Sequence, residues 1–378
     1  MKELTLLVGT YTQPIKFGTG KIMEGKGAGV YCFRMDLAAH CFSLVEVTGD
    51  VVNPSFLAAS ADGCRVFAVN ELKEWKGEAS GTLSSFSFDS TSGRLGFLNR
   101  YPTWGTDPCY VELDKSGRWA AVANFMSGSI AIFPLLPDGS LGPAATRVQH
   151  EGSGTDPLRQ KGPHAHSTVF SRDNRTLYVP DLGLDMVVAY DFDPASGSLA
   201  PKRGGSLRAP KGAGPRHIVF NPAGKFAYVV NELSSSVSAY DLGRSGEVGV
   251  DMDAGSSAAI DPAQTLSTLP EGVSGANSCA DIKIHPTGAW LYASNRGQDS
   301  ITVFSIDRDS GLLRFEGVES TRGGVPRNFA IDPSGSWLVA ANQDTDNLVL
   351  FSIDQGTGRL RYTGVSQVVP TPVCVIFM

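Results

Sequence analysis

The chain has 378 residues, a formal net charge of -6 and no long basic run, which argues against nucleic acid as a partner. Six cysteines (Cys32, Cys41, Cys64, Cys109, Cys279 and Cys374) form no CxxC pair, so neither a zinc framework nor a disulfide scaffold is implied, and a reducing compartment fits. The apolar run before Gly9 is too short for a signal peptide or a membrane span, and Lys2 is the one early lysine; the expectation is a soluble, cytoplasmic protein.

From the N-terminus onward, short runs rich in Val, Ile, Phe, Tyr, Leu and Ala alternate with Gly- and Pro-bearing turns. These are strand signals, and no stretch sustains a helical period. Residues 4–10 read as a strand, followed by a Gly-rich loop over 13–29 that carries Lys16, Lys21 and Lys26. A turn at 61–63 then separates two strands, the second ending in Asn70-Glu71. The same unit returns with turns at 114–117, 171–174, 221–224, 285–288 and 332–335. Its second strand ends in turn at Asn124, Asp181, Asn231, Asn295 and Asn342, roughly every 50 residues. Third strands follow, as at 128–133 and 299–304, and fourth strands after SerGly-type turns at 196–199, 310–313 and 357–360. Residues 372–377 copy the first strand of the unit beginning at Pro215 and then the chain stops, so residues 4–10 supply the missing second strand. The expectation is an all-β, seven-bladed β-propeller of four-stranded antiparallel blades. Pairing of the N- and C-terminal strands closes the ring, and residues 1–378 make a single domain. Propellers bury their own edges, so a monomer is the default.

In such a ring the start of each first strand and the residue after each second strand converge on one channel mouth. The first position holds Ser55, Cys109, His166, Arg216, Ala280, Arg327 and Val373. The second holds Glu71, Phe125, Leu182, Glu232, Arg296 and Gln343. Each charged residue alone reads as a solvated rim group. As a set, three Arg, two Glu and a His at equivalent places favour an anion site with acid–base capacity. His164 is expected to face the same way as His166 by strand alternation, and His217 to alternate away. His285 falls in a turn, and Asp181 with the Asn series reads as structural. A metal held by His164, His166 and Glu232 is disfavoured because the arginines would repel a cation, so neither metal nor cofactor is expected. Loops 72–80, with Trp75, and 152–163, with Arg159 and Lys161, should add positive charge at this end.

The strings PHAHS (163–167), DLGLD (181–185), GPRH (214–217) and SNRGQDSI (294–301) resemble the seven-bladed lactonase propellers, which include propeller-type 6-phosphogluconolactonases and carboxy-cis,cis-muconate lactonizing enzymes. The resemblance runs over essentially the whole chain. It implies an active site of His164 or His166, Arg216, Glu232 and Arg296, with Gln298 standing where family members often have His. The expected reaction is hydrolysis of an anionic sugar-acid lactone, a small-molecule substrate. Glu232 would act as general base on water, Arg216 and Arg296 would hold the developing oxyanion or the substrate anion, and His166 with His164 would protonate the leaving alkoxide. Arg327, Glu71 and Gln343 would bind substrate. The alternatives are the reverse cyclisation of a muconate-type dicarboxylate, or a non-catalytic propeller that binds a partner through Trp75 and Trp104.

Overall fold

The computed structural model describes residues 3–244 and 259–378; Lys2 lies outside them. Seven antiparallel sheets form a closed ring. Blade 1 combines Glu3–Thr10, Val30–Asp36 and Cys41–Thr48 with the C-terminal strand Pro372–Phe377, in register Leu7↔Ile376 and Val8↔Val375. The innermost strands of the next blades are Pro54–Ala59, Pro108–Leu113, Val169–Phe170, Pro215–Phe220, Ser278–Ile284 and Pro326–Ile331, which begin blades 2 to 7. Blade 4 departs from four strands: Leu207–Arg208 adds a further segment on its third strand. Among the described residues the only helix is the 3-10 turn Leu242–Arg244, and no helix is long and apolar enough to cross a membrane.

Local chemistry explains the hairpins. In all six inner turns the last residue sits at positive φ, from 59° at Asn174 to 73° at Gly224 and Gly335, the region that Gly and Asn tolerate best. The polar strand ends tie each hairpin to its neighbouring loop. Asn70 Nδ2 donates to Val52 O at 2.7 Å, Asn342 Nδ2 to Thr321 O at 3.0 Å, and Asp181 accepts from the His164 and Gly183 backbones.

The core is distributed rather than central. One apolar cluster fills each of the seven interfaces between consecutive blades, such as Phe304 with Tyr228 between blades 5 and 6, and Phe351 with Tyr292 between blades 6 and 7. Each blade therefore buries both faces only through its neighbours, which is why the ring must close.

One feature departs from simple strand alternation. In six blades the register between innermost and second strand slips by one residue at the start of the innermost strand. Pro215 opposes Asn231 but His217 opposes Val230, so Arg216 is an extra, bulged residue. Proline opens five of these bulges (Pro54, Pro108, Pro215, Pro326 and Pro372), where its missing N–H costs no ladder bond. A bulge lets two consecutive side chains face the channel instead of one.

Candidate active site

The mouth encloses a cavity of about 450 Å³. Its wall takes Cys109, His166 and Arg327 from strand starts and Glu71, Phe125, Glu232, Arg296 and Gln343 from strand ends. The two sets of equivalent positions thus meet in one place. Five cationic side chains (Lys16, Lys21, Arg159, Arg296 and Arg327) line it against three carboxylates (Glu71, Asp107 and Glu232), although the whole chain is acidic. Phe17, Phe125 and Met126 give it an apolar flank.

Glu232 is the hub. It follows Asn231 directly, and its backbone N–H donates to Gly214 O at 2.7 Å, which pins the strand end to the GPRH segment. Gly214 has φ 64°, and a Cβ there would fall 2.6 Å from the Leu233 side chain, so the close approach needs glycine. The Glu232 carboxylate is 5% exposed and clamped by three guanidinium groups. Arg159 Nη2 lies 2.8 Å from Oε1, while Arg296 Nη2 at 2.9 Å and Arg216 Nε at 3.1 Å share Oε2. Burial alone would raise this carboxyl; Arg296, Arg159 and Arg216 outweigh it and hold the group well below the ordinary glutamate range. His166 Nε2 stands 4.0 Å from the same Oε2, and its Nδ1 is 3.5 Å from Cys109 Sγ. Burial, with Arg216 and His217 adding to it, drives the imidazole well below its usual value, so it is neutral at pH 7.

Glu71 behaves oppositely. It accepts from Tyr11 Oη at 3.0 Å, and burial pushes its carboxyl up against the opposing pull of Arg327. Arg327 makes no hydrogen bond to protein among the described residues and lies over the Tyr11 and Phe17 rings, 5.6 and 5.3 Å from their centroids. The buried Nε of Arg296 and Oε1 of Gln343 also have no protein partner there.

Several expectations need correction. His164 does not line the cavity: its ring stacks on Phe125 at 4.8 Å and its Nδ1–H donates to Phe125 O at 3.0 Å. Strand geometry fails at 163–168, where only the Ala165↔Asp181 bridge forms, and Phe125 packs against both imidazoles. Arg216 does not reach the main cavity; it is buried at 2% beneath Glu232 and borders a small adjoining void. His217 lines that same void, because the bulge at Arg216 turns both residues channelward. Trp75 and Trp104 lie outside the cavity wall, as does Leu182. Arg159 was legible only as loop charge, yet it touches Glu232 directly. Its loop is fixed by Gln160, which donates to Asp185 Oδ1 at 2.7 Å and Leu182 O at 2.8 Å. The clamp also bears on Glu232 as a base. A carboxylate so strongly held in its charged form has little proton affinity near neutral pH. Among the described residues no cluster of three metal-ligating side chains occurs.

A family model described as "Lactonase, 7-bladed beta-propeller" matches residues 5–377. The 6-phosphogluconolactonase of Bacillus subtilis is 33% identical over 371 residues, 98% of this chain and 97% of that one. That of Formosa agariphila is 34% identical over 308 residues, 81% of this chain and 82% of its own. The solved structure of the periplasmic gluconolactonase of Pseudomonas aeruginosa superposes with a TM-score of 0.86 at 33% identity, covering 100% of this chain and 99% of its own.

Proposed function

The chain belongs to the seven-bladed β-propeller lactonases, and from that footing we propose that its mouth cavity opens a phosphorylated sugar-acid lactone of the 6-phosphogluconolactone type. It is a lactone hydrolase; the substrate and the roles below are our reading. The observation behind that reading is the cationic cavity built around one buried, arginine-clamped carboxylate and a neutral imidazole.

In the proposed reaction a water attacks the lactone carbonyl carbon while neutral His166 accepts its proton. Glu232, 4.0 Å away, stabilises the imidazolium that forms, and holds that charge without itself changing protonation. Arg296, whose guanidinium lines the cavity, receives the oxyanion, a contact that strengthens only as charge develops. The acyl–oxygen bond then breaks, and the imidazolium returns its proton to the ring oxygen, yielding a hydroxy acid. Arg327, with Lys16 on the cavity rim, binds the phosphate; Gln343 and Glu71 contact the sugar hydroxyls. Arg216 acts through Glu232, bracing it from below.

Incubation of the purified protein with aldonolactones, with and without a 6-phosphate, and with muconate-type dicarboxylates tests this assignment. Acid release from the phosphorylated lactone, at kcat/KM at least tenfold above its unphosphorylated analogue, is expected. Turnover of dicarboxylates alone would overturn it.

A further inference from the structure

The bulged strand starts place a second set of polar groups along the channel, next to the cavity, and the reaction above uses none of them except Arg216. His217 Nδ1 lies 2.9 Å from Asp281 Oδ1. Asp281 is fully buried, and its Oδ2 also accepts from Asn328 Nδ2 at 2.7 Å and pairs with Lys283 Nζ at 3.0 Å. Asn328 Oδ1 in turn accepts from the Val375 backbone of the closing strand at 2.8 Å. On the other side of the imidazole, His217 Nε2 is 3.2 Å from Arg216 Nη1.

This geometry fixes the tautomer. A guanidinium has only donors, so Nε2 of His217 must be the acceptor and the ring proton must sit on Nδ1, facing the Asp281 carboxylate. Arg216 is then held on two sides: Nη1 by His217 and by Ala280 O at 2.7 Å, and Nε by Glu232 Oε2 at 3.1 Å. The line Asp281–His217–Arg216–Glu232 joins blades 5 and 6 through the channel to the reacting end of the site.

We propose that His217 and Asp281 are positioning residues that fix the Arg216 guanidinium and, through it, the Glu232 carboxylate beside His166. Asp281 supplies the charge that keeps the proton on Nδ1; without it the imidazole takes the other tautomer, and an Nε2–H then faces the Arg216 donors. The same tautomer control operates in hydrolase triads, where an amide in place of the carboxylate leaves the geometry but reverses the imidazole. Burial and the Arg216 charge lower His217 to about 3, so the brace stays intact across the working range. The inference rests on the site reading above, and the experiment separates the two.

The variants are His217→Gln, whose side-chain oxygen replaces the Nε2 acceptor, and His217→Asn, whose amide replaces only the Nδ1 donor. Lactone hydrolysis and thermal midpoint are measured for both, for Asp281→Asn and for Arg216→Met. The expected result is a fall in kcat of tenfold or more for His217→Asn and Asp281→Asn, with His217→Gln within about threefold of the wild type, as loss and retention of one charge-assisted hydrogen bond require. Equal losses in His217→Gln and His217→Asn, following their thermal midpoints, would mean a purely structural role and overturn the inference. If Arg216→Met is crippled while folded His217→Asn is normal, the inference alone fails. If Arg216→Met is itself normal, the site reading fails with it. Ring-nitrogen NMR of the wild-type protein needs no variant: His217 protonated on Nδ1 is expected, and protonation on Nε2 alone would overturn the brace even if every variant misfolds.

Discussion

Glu232→Gln is the most informative single change at this site. It removes one negative charge from a group 5% exposed and leaves Arg159, Arg216 and Arg296 within a few ångströms of each other with no counterion between them. The amide offers one acceptor oxygen where three donors converged on two. Breaking a buried ion pair from one side costs about 3–5 kcal/mol, because the remaining charges stay desolvated. For a 378-residue chain the unfolding entropy is about 0.8 kcal/mol/K, so a loss of about 4 kcal/mol lowers the thermal midpoint by about 5 °C. Activity should fall further than stability. With no carboxylate to stabilise the His166 imidazolium, kcat should drop by about 10²–10⁴-fold, the usual range for a lost acid–base partner. Calorimetry gives the first number and acid release from the lactone, followed with a pH indicator, gives the second. A further consequence separates clamp from base: the freed guanidinium groups of Arg159 and Arg296, which line the cavity, should bind inorganic phosphate more tightly in the variant than in the wild type. A Glu232→Gln protein with an unchanged midpoint, unchanged phosphate affinity and kcat within threefold of wild type would refute the clamp and the role assigned to it.

Arg327→Met should raise KM for a phosphorylated lactone about 10–100-fold, the worth of one charge-assisted contact, and leave an unphosphorylated lactone nearly unaffected; equal effects on both would remove the phosphate from Arg327. The pH dependence of kcat/KM carries a definite sign. A base must be unprotonated to act, and His166 is held well below 6.5 by burial and then by Arg216, so activity should persist below pH 6.5 and fall only in stronger acid. An acid limb at or above pH 6.5 would exclude a buried His166 as the base. Stability should fall in acid for a related reason. His217 has a folded value of about 3 against 6.5 when exposed, so the unfolded chain binds the extra proton first and stability declines as pH drops from 6.5 toward 3. Urea titrations of the wild type and His217→Gln should show that slope reduced in the variant. Phe351→Ala, in the interface between blades 6 and 7 and away from the mouth, should cost about 3–5 kcal/mol with kcat unchanged in the folded protein; a large kcat effect would mean that the blades transmit strain to the site.

The sequence by itself determined the ring. Six turns at a common offset, each ending in a residue that accepts positive φ, and a C-terminal segment that begins a unit the N-terminus completes, leave few architectures other than seven closed blades. Equivalence between blades also selected Glu232, His166, Arg296, Arg327, Glu71 and Gln343 as neighbours, and all six line one cavity. That inference works because a repeat places equivalent residues at equivalent points around an axis, whatever their distance along the chain. Tertiary structure decided what periodicity misplaced. Alternation put His217 outside the channel, but the bulge opened at Pro215 shifts the pleat by one residue and brings it in beside Arg216. Alternation likewise paired His164 with His166, whereas the strand is broken there and Phe125 occupies His164. Arg159 lies in an irregular loop with no equivalent in other blades, so no repeat could locate it. Nor could charge pattern alone show that Glu232 is held by three arginines at once: the proton affinity of a buried carboxylate depends on distances of a few ångströms, and those are set by how the blades pack around the channel.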